Sequence, residues 1–159
     1  MAFQKEISRD LAKGIPGQLA SLNPTVYDTN NFPAGENGVT AGLAVWADYD
    51  TGVYNNAGTG KPLGIAMAVM NYAGCFLTER GSMKIEAGKT VTVIKKGDVY
   101  VDTTTAAVPG QKVFVNNTDG TFSTGEAGAA VAGSTETDFY VVEGGDPNSL
   151  ILISAWSNR

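Results

Sequence analysis

The sequence predicts an all-β fold, namely an antiparallel β-sandwich or barrel (jelly-roll-like) with an extended N-terminal arm. The chain of 159 residues contains 20 glycines, which is above the usual share and implies many tight turns between short strands. Charged residues make up only 17% of the chain, so much of the surface is either covered by a partner or built from polar loops. Apolar residues make up 43%, which supports a packed core and excludes a disordered chain.

The chain is predicted to divide at residue 38. Residues 1–38 form the arm and residues 39–159 form the β domain. Residues 14–38 contain three prolines and four glycines, which interrupt every hydrophobic period. We therefore expect an extended arm or long loop there.

A short helix is predicted at the start of the arm. Phe3, Ile7 and Leu11 share one helical face, and Gly14 supplies a stop. Because so short a helix is marginal on its own, it either docks on another surface or frays.

Strand signals in the β domain share a short apolar or alternating run that is bounded by turn residues. They cover residues 40–47, 63–72, 89–94, 98–101, 111–115, 121–122, 139–142 and 150–156. The residues expected to be mostly buried are Leu43, Val45, Ile65, Val91, Val93, Val99, Val113, Val115, Val141, Ile151 and Ile153. A helix stays open for residues 63–72, since Ala and Met favour it. The last strand is apolar on both faces, so it is either central to a sheet or covered by a neighbouring subunit.

Turns are expected between these strands. The segment Lys95-Lys96-Gly97-Asp98 joins two strands, and residues 117–120 (Asn-Thr-Asp-Gly) open a hairpin.

The sequence argues against catalysis, because it contains no histidine. This removes the usual general base, the usual zinc ligand and every Ser-His or Cys-His pair. The single cysteine, Cys75, lies in an apolar run and is expected to be buried. Only Asp50-Thr51-Gly52 matches a catalytic triplet, that of the aspartic proteases, and it would require a homodimer to supply the second carboxylate. The triplet is also an ordinary turn sequence, which we favour.

No metal or cofactor site is predicted. Residues 58–61 (Gly-Thr-Gly-Lys) resemble the end of a phosphate-binding loop, but Pro62 replaces the required Ser or Thr. Asp48 and Asp50 together could contact calcium, but the loop offers too few further oxygen ligands.

The charge distribution constrains the partners. A net charge of −5 disfavours direct binding to nucleic acid, and the longest apolar stretch is too short to cross a membrane. Residues 79–98 carry five bases and three acids, whereas residues 100–159 carry seven acids and two bases. These are either two differently solvated faces or a basic stretch that meets an acidic partner. No signal peptide is visible, so synthesis in the cytoplasm is expected.

Several motifs resemble, in order, those of the capsid decoration (structural cement) proteins of tailed bacteriophages. They are Gly14-Ile15-Pro16-Gly17-Gln18-Leu19-Ala20, residues 40–45, Pro62-Leu63-Gly64-Ile65, the pattern Val91, Val93, Gly97, Val99 and Val101, and the strands at residues 110–115 and 150–153. The segment containing Pro-Gly-Gln is the most specific of them.

The resemblance implies a non-enzymatic protein of the virion, on the outer surface of the capsid, which stabilises the head. Its partners would be the major capsid protein and further copies of itself, as a dimer or trimer. The residues expected to contact the capsid or other subunits are Pro16, Gly17, Gln18, Leu19, Leu22, Val26, Tyr27 and Phe32.

Three alternatives remain open at this point. The first is a receptor- or carbohydrate-binding β module of a phage tail or fibre, and the second, less favoured, is the dimeric aspartic hydrolase. The third concerns the arm alone, which could wrap its own β domain rather than reach a neighbour.

Overall fold

The computed structural model describes residues 13–69 and 83–156. Within these residues the chain forms only strands, bridges and turns, and the predicted all-β class is confirmed. The predicted N-terminal helix, apart from Lys13, lies outside the described residues, and so does Cys75.

The described residues form twelve strands. They are β1 (Val26–Tyr27), β2 (Val39–Thr40), β3 (Ala44–Asp48), β4 (Val53–Asn55), β5 (Gly64–Ala66), β6 (Lys84–Ile85), β7 (Val93–Lys96), β8 (Asp98–Thr103), β9 (Lys112–Asn116), β10 (Phe122–Gly125), β11 (Ser134–Glu143) and β12 (Ser149–Ser154).

The C-terminal half of the chain closes into a five-stranded barrel with the strand order β10-β8-β12-β11-β9. Its pairs are antiparallel except β8 and β10, which meet in parallel at Thr103 and Phe122. Closure gives every strand a partner on both sides, although β8 meets β10 only at its C-terminal end. The predicted hairpin of residues 117–120 joins β9 to β10.

Strand β12 is central to its sheet, which is one of the two explanations offered for its apolar sequence. It lies between β8 and β11, with Ile151 and Ile153 buried and Leu150 and Leu152 half-buried. Both faces of the strand are therefore covered to some degree within one chain.

A second, five-stranded sheet has the order β1-β7-β5-β3-β4, and β2 and β6 form a separate two-stranded ribbon. The side chains of the sheet alternate between two clusters, as the period of a strand requires. Ile65 and Ile94 join the cluster that fills the barrel, while Val45, Ala66 and Val93 join a cluster on the other side.

We call these clusters the barrel core and the second core. The barrel core comprises Ala44, Trp46, Ile65, Ile94, Val99, Val101, Ala107, Val113, Val115, Phe122, Phe139, Val141, Ile151 and Ile153. The second core comprises Ala34, Val39, Val45, Tyr54, Ala66, Ile85, Val91 and Val93.

The predicted core is confirmed except at one position. Leu43 is half-buried, because it lies in the bend before β3, and the other ten predicted residues are buried.

Most of the predicted strands differ from the structure in their bounds, and two of these differences affect how the chain is connected. The strand predicted at residues 89–94 begins at Val93 and continues through Lys96, so only Gly97 separates β7 from β8. The lysines therefore belong to a strand, and the chain passes there from the sheet into the barrel. The strand predicted at residues 63–72 is confirmed only as β5, and its last residues lie outside the described part.

The described part of the predicted arm, residues 13–38, lies against the β domain of the same chain. Strand β1 pairs with β7, and isolated bridges join Leu19 to Val99 and Pro33 to Thr90. Within a single chain, this segment therefore wraps its own domain, which is the third alternative that the sequence left open.

Candidate interaction surface

The Pro-Gly-Gln motif forms an internal joint between the sheet and the barrel. Gly17 adopts a positive φ of 84°, and a Cβ there would lie 2.8 Å from the carbonyl oxygen of Ala66. Its N–H donates to the carbonyl oxygen of Tyr100 at 2.8 Å, and its own carbonyl accepts from the N–H of Ala68 at 2.9 Å. Pro16 packs beside Gly42, where a Cβ would come within 2.4 Å of the proline ring. The motif thus has a structural role inside the chain.

Gln18 and Leu19 continue this attachment along β8. The carbonyl of Gln18 accepts from the N–H of Tyr100 at 3.0 Å, and its side-chain Oε1 accepts from the N–H of Ile15 at 3.2 Å. Leu19 packs against the barrel core. The segment therefore adds an extra stretch of strand-like pairing to β8.

A buried carboxylate fixes the next residues of the segment. Asp98 accepts hydrogen bonds from Ser21 Oγ at 2.5 Å and from Asn23 Nδ2 at 2.6 Å, and Ser154 also donates to it. Burial alone would raise the pKa of the Asp98 carboxyl, but these hydrogen bonds outweigh it and the pKa lies below its ordinary value. The bend at residues 21–24 is held in one conformation as a result.

A second buried carboxylate fixes the segment after β1. Asp28 accepts hydrogen bonds from the hydroxyl of Tyr54 and from Asn30 Nδ2, and its Oδ1 lies 3.7 Å from Lys95 Nζ. Burial opposes ionisation, yet the hydrogen bonds and Lys95 together lower the pKa of Asp28, while burial and Asp28 raise the pKa of Tyr54.

These attachments divide the eight predicted contact residues into one group that packs against its own domain and one group that is exposed. Pro16, Gly17, Leu19 and Phe32 are buried or half-buried against their own domain, whereas Gln18, Leu22, Val26 and Tyr27 are exposed. Leu22 is 106% exposed, Val26 43% and Tyr27 40%. The exposed apolar members of this set are thus available to a partner.

Trp156, which lies beside Pro24 and Lys96, was not predicted from the sequence. Its indole N–H donates to the carbonyl oxygen of Pro24 at 2.9 Å, and Lys96 Nζ lies 5.5 Å from the centre of the ring. Val26 is opposite Lys96 in the pairing of β1 with β7, so both side chains lie on the same face. No local pattern signals this contact, because Trp156 and Pro24 are 132 residues apart.

We call the surface formed by Pro24, Val26, Lys96 and Trp156 the Trp156 face. Trp156 is 48% exposed there. Trp46, by contrast, is buried in the barrel core and donates its N–H to the carbonyl oxygen of Gly60 at 3.1 Å. The two tryptophans therefore do not form one exposed aromatic platform.

Asp50 lies in the turn between β3 and β4. Asp48 Oδ1 accepts from the N–H groups of Asp50 and Thr51 at 3.0 and 3.3 Å, and Gly52 adopts a positive φ of 69°. Hydrogen bonds from Thr51 and from the N–H of Asp50 lower the pKa of Asp48. The Asp-Thr-Gly triplet is part of an ordinary hairpin turn in this chain.

The described residues hold no group of three or more His, Cys, Asp or Glu side chains that could bind a metal ion. Of the same residues, none belongs to a helix with the length and apolar character needed to cross a membrane. The phosphate-loop-like segment at residues 58–61 instead packs on Trp46, and Lys61 Nζ pairs with Asp138 Oδ2 at 2.5 Å.

Comparisons with known proteins give a consistent result. Residues 3–155 match the family of the XM1 gp53 minor capsid protein. A chain in the solved capsid of Myoviridae phage XM1 is 22% identical, covers 100% of both chains and superposes with a TM-score of 0.67, so it shares the fold. No curated protein matched the sequence. Since the family match spans nearly the whole chain, this protein belongs to the XM1 gp53 minor capsid protein family, and it is a structural capsid protein of a phage virion.

Proposed function

We propose that this protein binds the outer surface of a tailed-phage capsid and stabilises the head as a non-enzymatic cement, or decoration, protein. The observation that carries the proposal is the exposed apolar set on the N-terminal segment, in which Leu22 is completely exposed on a bend fixed by Asp98. Such a side chain gains free energy only when a partner covers it. The resemblance of the motifs to cement proteins and the capsid family support this assignment.

The thermodynamic role follows from selective binding. A protein that binds the mature shell and not its disassembled subunits stabilises the shell by mass action. The partner is the major capsid protein, and a homo-oligomer, a dimer or trimer, would contact several of its subunits at once. Individual contacts can then be weak, because the later ones form at a high effective concentration.

The residues of the segment have two different roles in the contact with the capsid. Leu22, Val26 and Tyr27 would contact the partner directly. Pro16, Gly17, Gln18, Leu19 and Phe32 would act within the chain, because they hold the exposed side chains at fixed positions on the β domain. Residues 16–32 therefore provide both the contact surface and its support.

The proposal is tested on heads of the phage prepared without this protein. Purified protein is added in increasing amounts, and the copies bound per head and the temperature of DNA release are measured on the same samples. We expect saturable binding and a release temperature that rises with occupancy. Heads that bind no protein, or that release DNA at an unchanged temperature when saturated, would contradict a cement function.

A further inference from the structure

We propose that residues 1–12 of this chain dock on the outer face of its own barrel, where they cover Leu150 and Leu152 of β12. The inference goes beyond the proposed function, because it concerns a contact within one chain and not a contact with the capsid. It assigns the first twelve residues to the barrel and leaves residues 16–32 to contact the partner.

The outer face of β12 is apolar, whereas a sheet face that meets water usually carries polar residues. Ile151 and Ile153 belong to the barrel core, so the alternating positions Leu150 and Leu152 point outward. Both leucines are only half-buried. Covering the rest of their apolar surface stabilises the chain in proportion to the area removed from water. This face therefore favours a further apolar layer.

The described chain begins at this face. Leu152 is paired with Tyr100 of β8 on one side and with Glu143 of β11 on the other. Gly14 lies against the ring of Tyr100, since a Cβ at this glycine would lie 2.6 Å from Cδ2 of the ring. Lys13 Nζ pairs with the carboxylate of Glu143. Residues 13 and 14 therefore contact the residues on either side of Leu152, and the chain that precedes them is attached at this point of the barrel.

The sequence of residues 1–12 suits an apolar sheet face. Phe3, Ile7 and Leu11 recur at every fourth position, so one face of a helix would carry all three side chains. Twelve residues of helix are about 18 Å long and neighbouring strands lie about 4.8 Å apart, so such a helix spans several strands of the barrel. A helix of this length gains its stability mainly from packing its apolar face. Docking would therefore cover the leucines and stabilise the helix together.

The connectivity of the chain favours its own N-terminal residues as the occupant. Residue 12 is joined directly to Lys13, which already contacts Glu143 of the same chain. No linker separates residues 1–12 from the face, so their effective concentration there is on the order of millimolar or higher. The same residues of a second copy lack this advantage in dilute solution.

The first test is urea denaturation of the full-length protein. Leu11→Asp places a charge on the apolar side of the segment, and the matched control Ala12→Asp introduces the same charge at the next position, about 100° further around a helix. We expect Leu11→Asp to lower the equilibrium constant for folding about tenfold relative to the control, because a buried apolar contact is lost. Equal constants for the two variants would overturn the inference.

The second test identifies the chain that carries the face. A nitroxide spin label is attached at Ser8→Cys in a Cys75→Ala background, and the broadening of the amide signals of Leu150 and Leu152 is measured by NMR. We expect broadening within the labelled molecule, which Leu11→Asp weakens, and none when spin-labelled protein is mixed with isotope-labelled protein that carries no spin label. Broadening in the mixed sample would show that a second copy is the occupant. Broadening that stays equally strong with Leu11→Asp would show proximity without docking, and either result overturns the inference.

The third test uses heads that lack this protein and separates residues 1–12 from the capsid contact. The Leu11→Asp variant should bind these heads as the unaltered protein does, because the proposed contact lies in residues 16–32. If Leu11→Asp weakens binding while its folding constant equals that of Ala12→Asp, the segment binds a capsid protein and the inference is overturned. If the unaltered protein does not bind heads, only the proposed function fails, because the first two tests do not involve heads.

Discussion

The barrel core and the second core are closed in different ways. The barrel core lies among five strands that pair with one another around a ring, and residues of the sheet, such as Ile65 and Ile94, pack into it. The second core lies under a sheet whose edge strand β1 comes from the N-terminal segment, and it borders on the Asp28–Tyr54 pair. The barrel strands thus pair in a closed ring, whereas the sheet ends at an edge strand from a segment that polar contacts hold in place. The exposed apolar residues that we propose as capsid contacts, Leu22, Val26 and Tyr27, lie on this segment.

The largest effect is expected in the barrel. Ile151→Ala removes a buried side chain at the centre of the closed ring and should lower the free energy of unfolding by about 2–5 kcal/mol. Urea denaturation measures this value. Leu152→Ala, at the half-buried neighbouring position on β12, is the control and should cost clearly less. A loss below about 0.5 kcal/mol for Ile151→Ala would show that the barrel does not carry the stability of the chain.

A smaller effect is expected at the border of the second core. Tyr54→Phe keeps the ring but leaves the buried Asp28 carboxylate without its hydroxyl donor, which should cost about 1–3 kcal/mol. Hydrogen exchange should also quicken at residues 26–35 and not in the barrel. Tyr49→Phe, on an exposed ring beside Phe32, is the matched control. Equal stability of the two variants would contradict a polar attachment of the segment.

The pH dependence of stability should reveal the same attachment. The pKa values of Asp28 and Asp98 are lowered in the folded chain, so the unfolded chain binds protons more readily. Stability is therefore fully present above the ordinary carboxyl pKa of 3.8 and is lost as the pH falls below it through the folded values. Denaturation curves between pH 5 and pH 2 measure this loss. The Tyr54→Phe variant should lose less stability over this interval, and an identical slope would exclude Asp28 as a source.

The smallest effect is expected at Asp50. Asp50→Asn keeps the backbone N–H that Asp48 accepts, so the hairpin turn should be unchanged and the free energy of unfolding should shift by no more than about 0.5 kcal/mol. Binding to heads should also be unchanged. A folded variant that loses a measurable activity of the protein would revive the hydrolase hypothesis.

The barrel core could be predicted from the sequence because apolar residues recur at every second position within its strands. Val99, Val101, Ile151 and Ile153 alternate within their strands, and each pattern needs only its own segment to be recognised. The second core could be predicted only in part. Ala34 reaches it from a stretch rich in Asn, Pro and Gly, through single bridges rather than a strand.

The candidate site likewise contains residues that could be predicted from the sequence and residues that could not. Leu22 and Val26 were predicted as contacts, whereas Trp156 was not, because its place beside Pro24 depends on the complete fold. The Pro-Gly-Gln motif was predicted as a contact to another chain, and in the structure Gly17 joins β8 to the end of β5 within one chain. A single sequence does not distinguish a motif that the fold requires from a motif that binds a partner.

The central claim, that this protein coats the outside of a phage head, is tested most directly by electron cryomicroscopy. Virions and heads made without this protein are imaged side by side, and the two reconstructions are subtracted. We expect difference density on the outer surface that fits the barrel and sheet, with Leu22, Val26 and Tyr27 turned toward the major capsid protein. Difference density confined to the tail or the interior of the head, or none at all, would contradict the account.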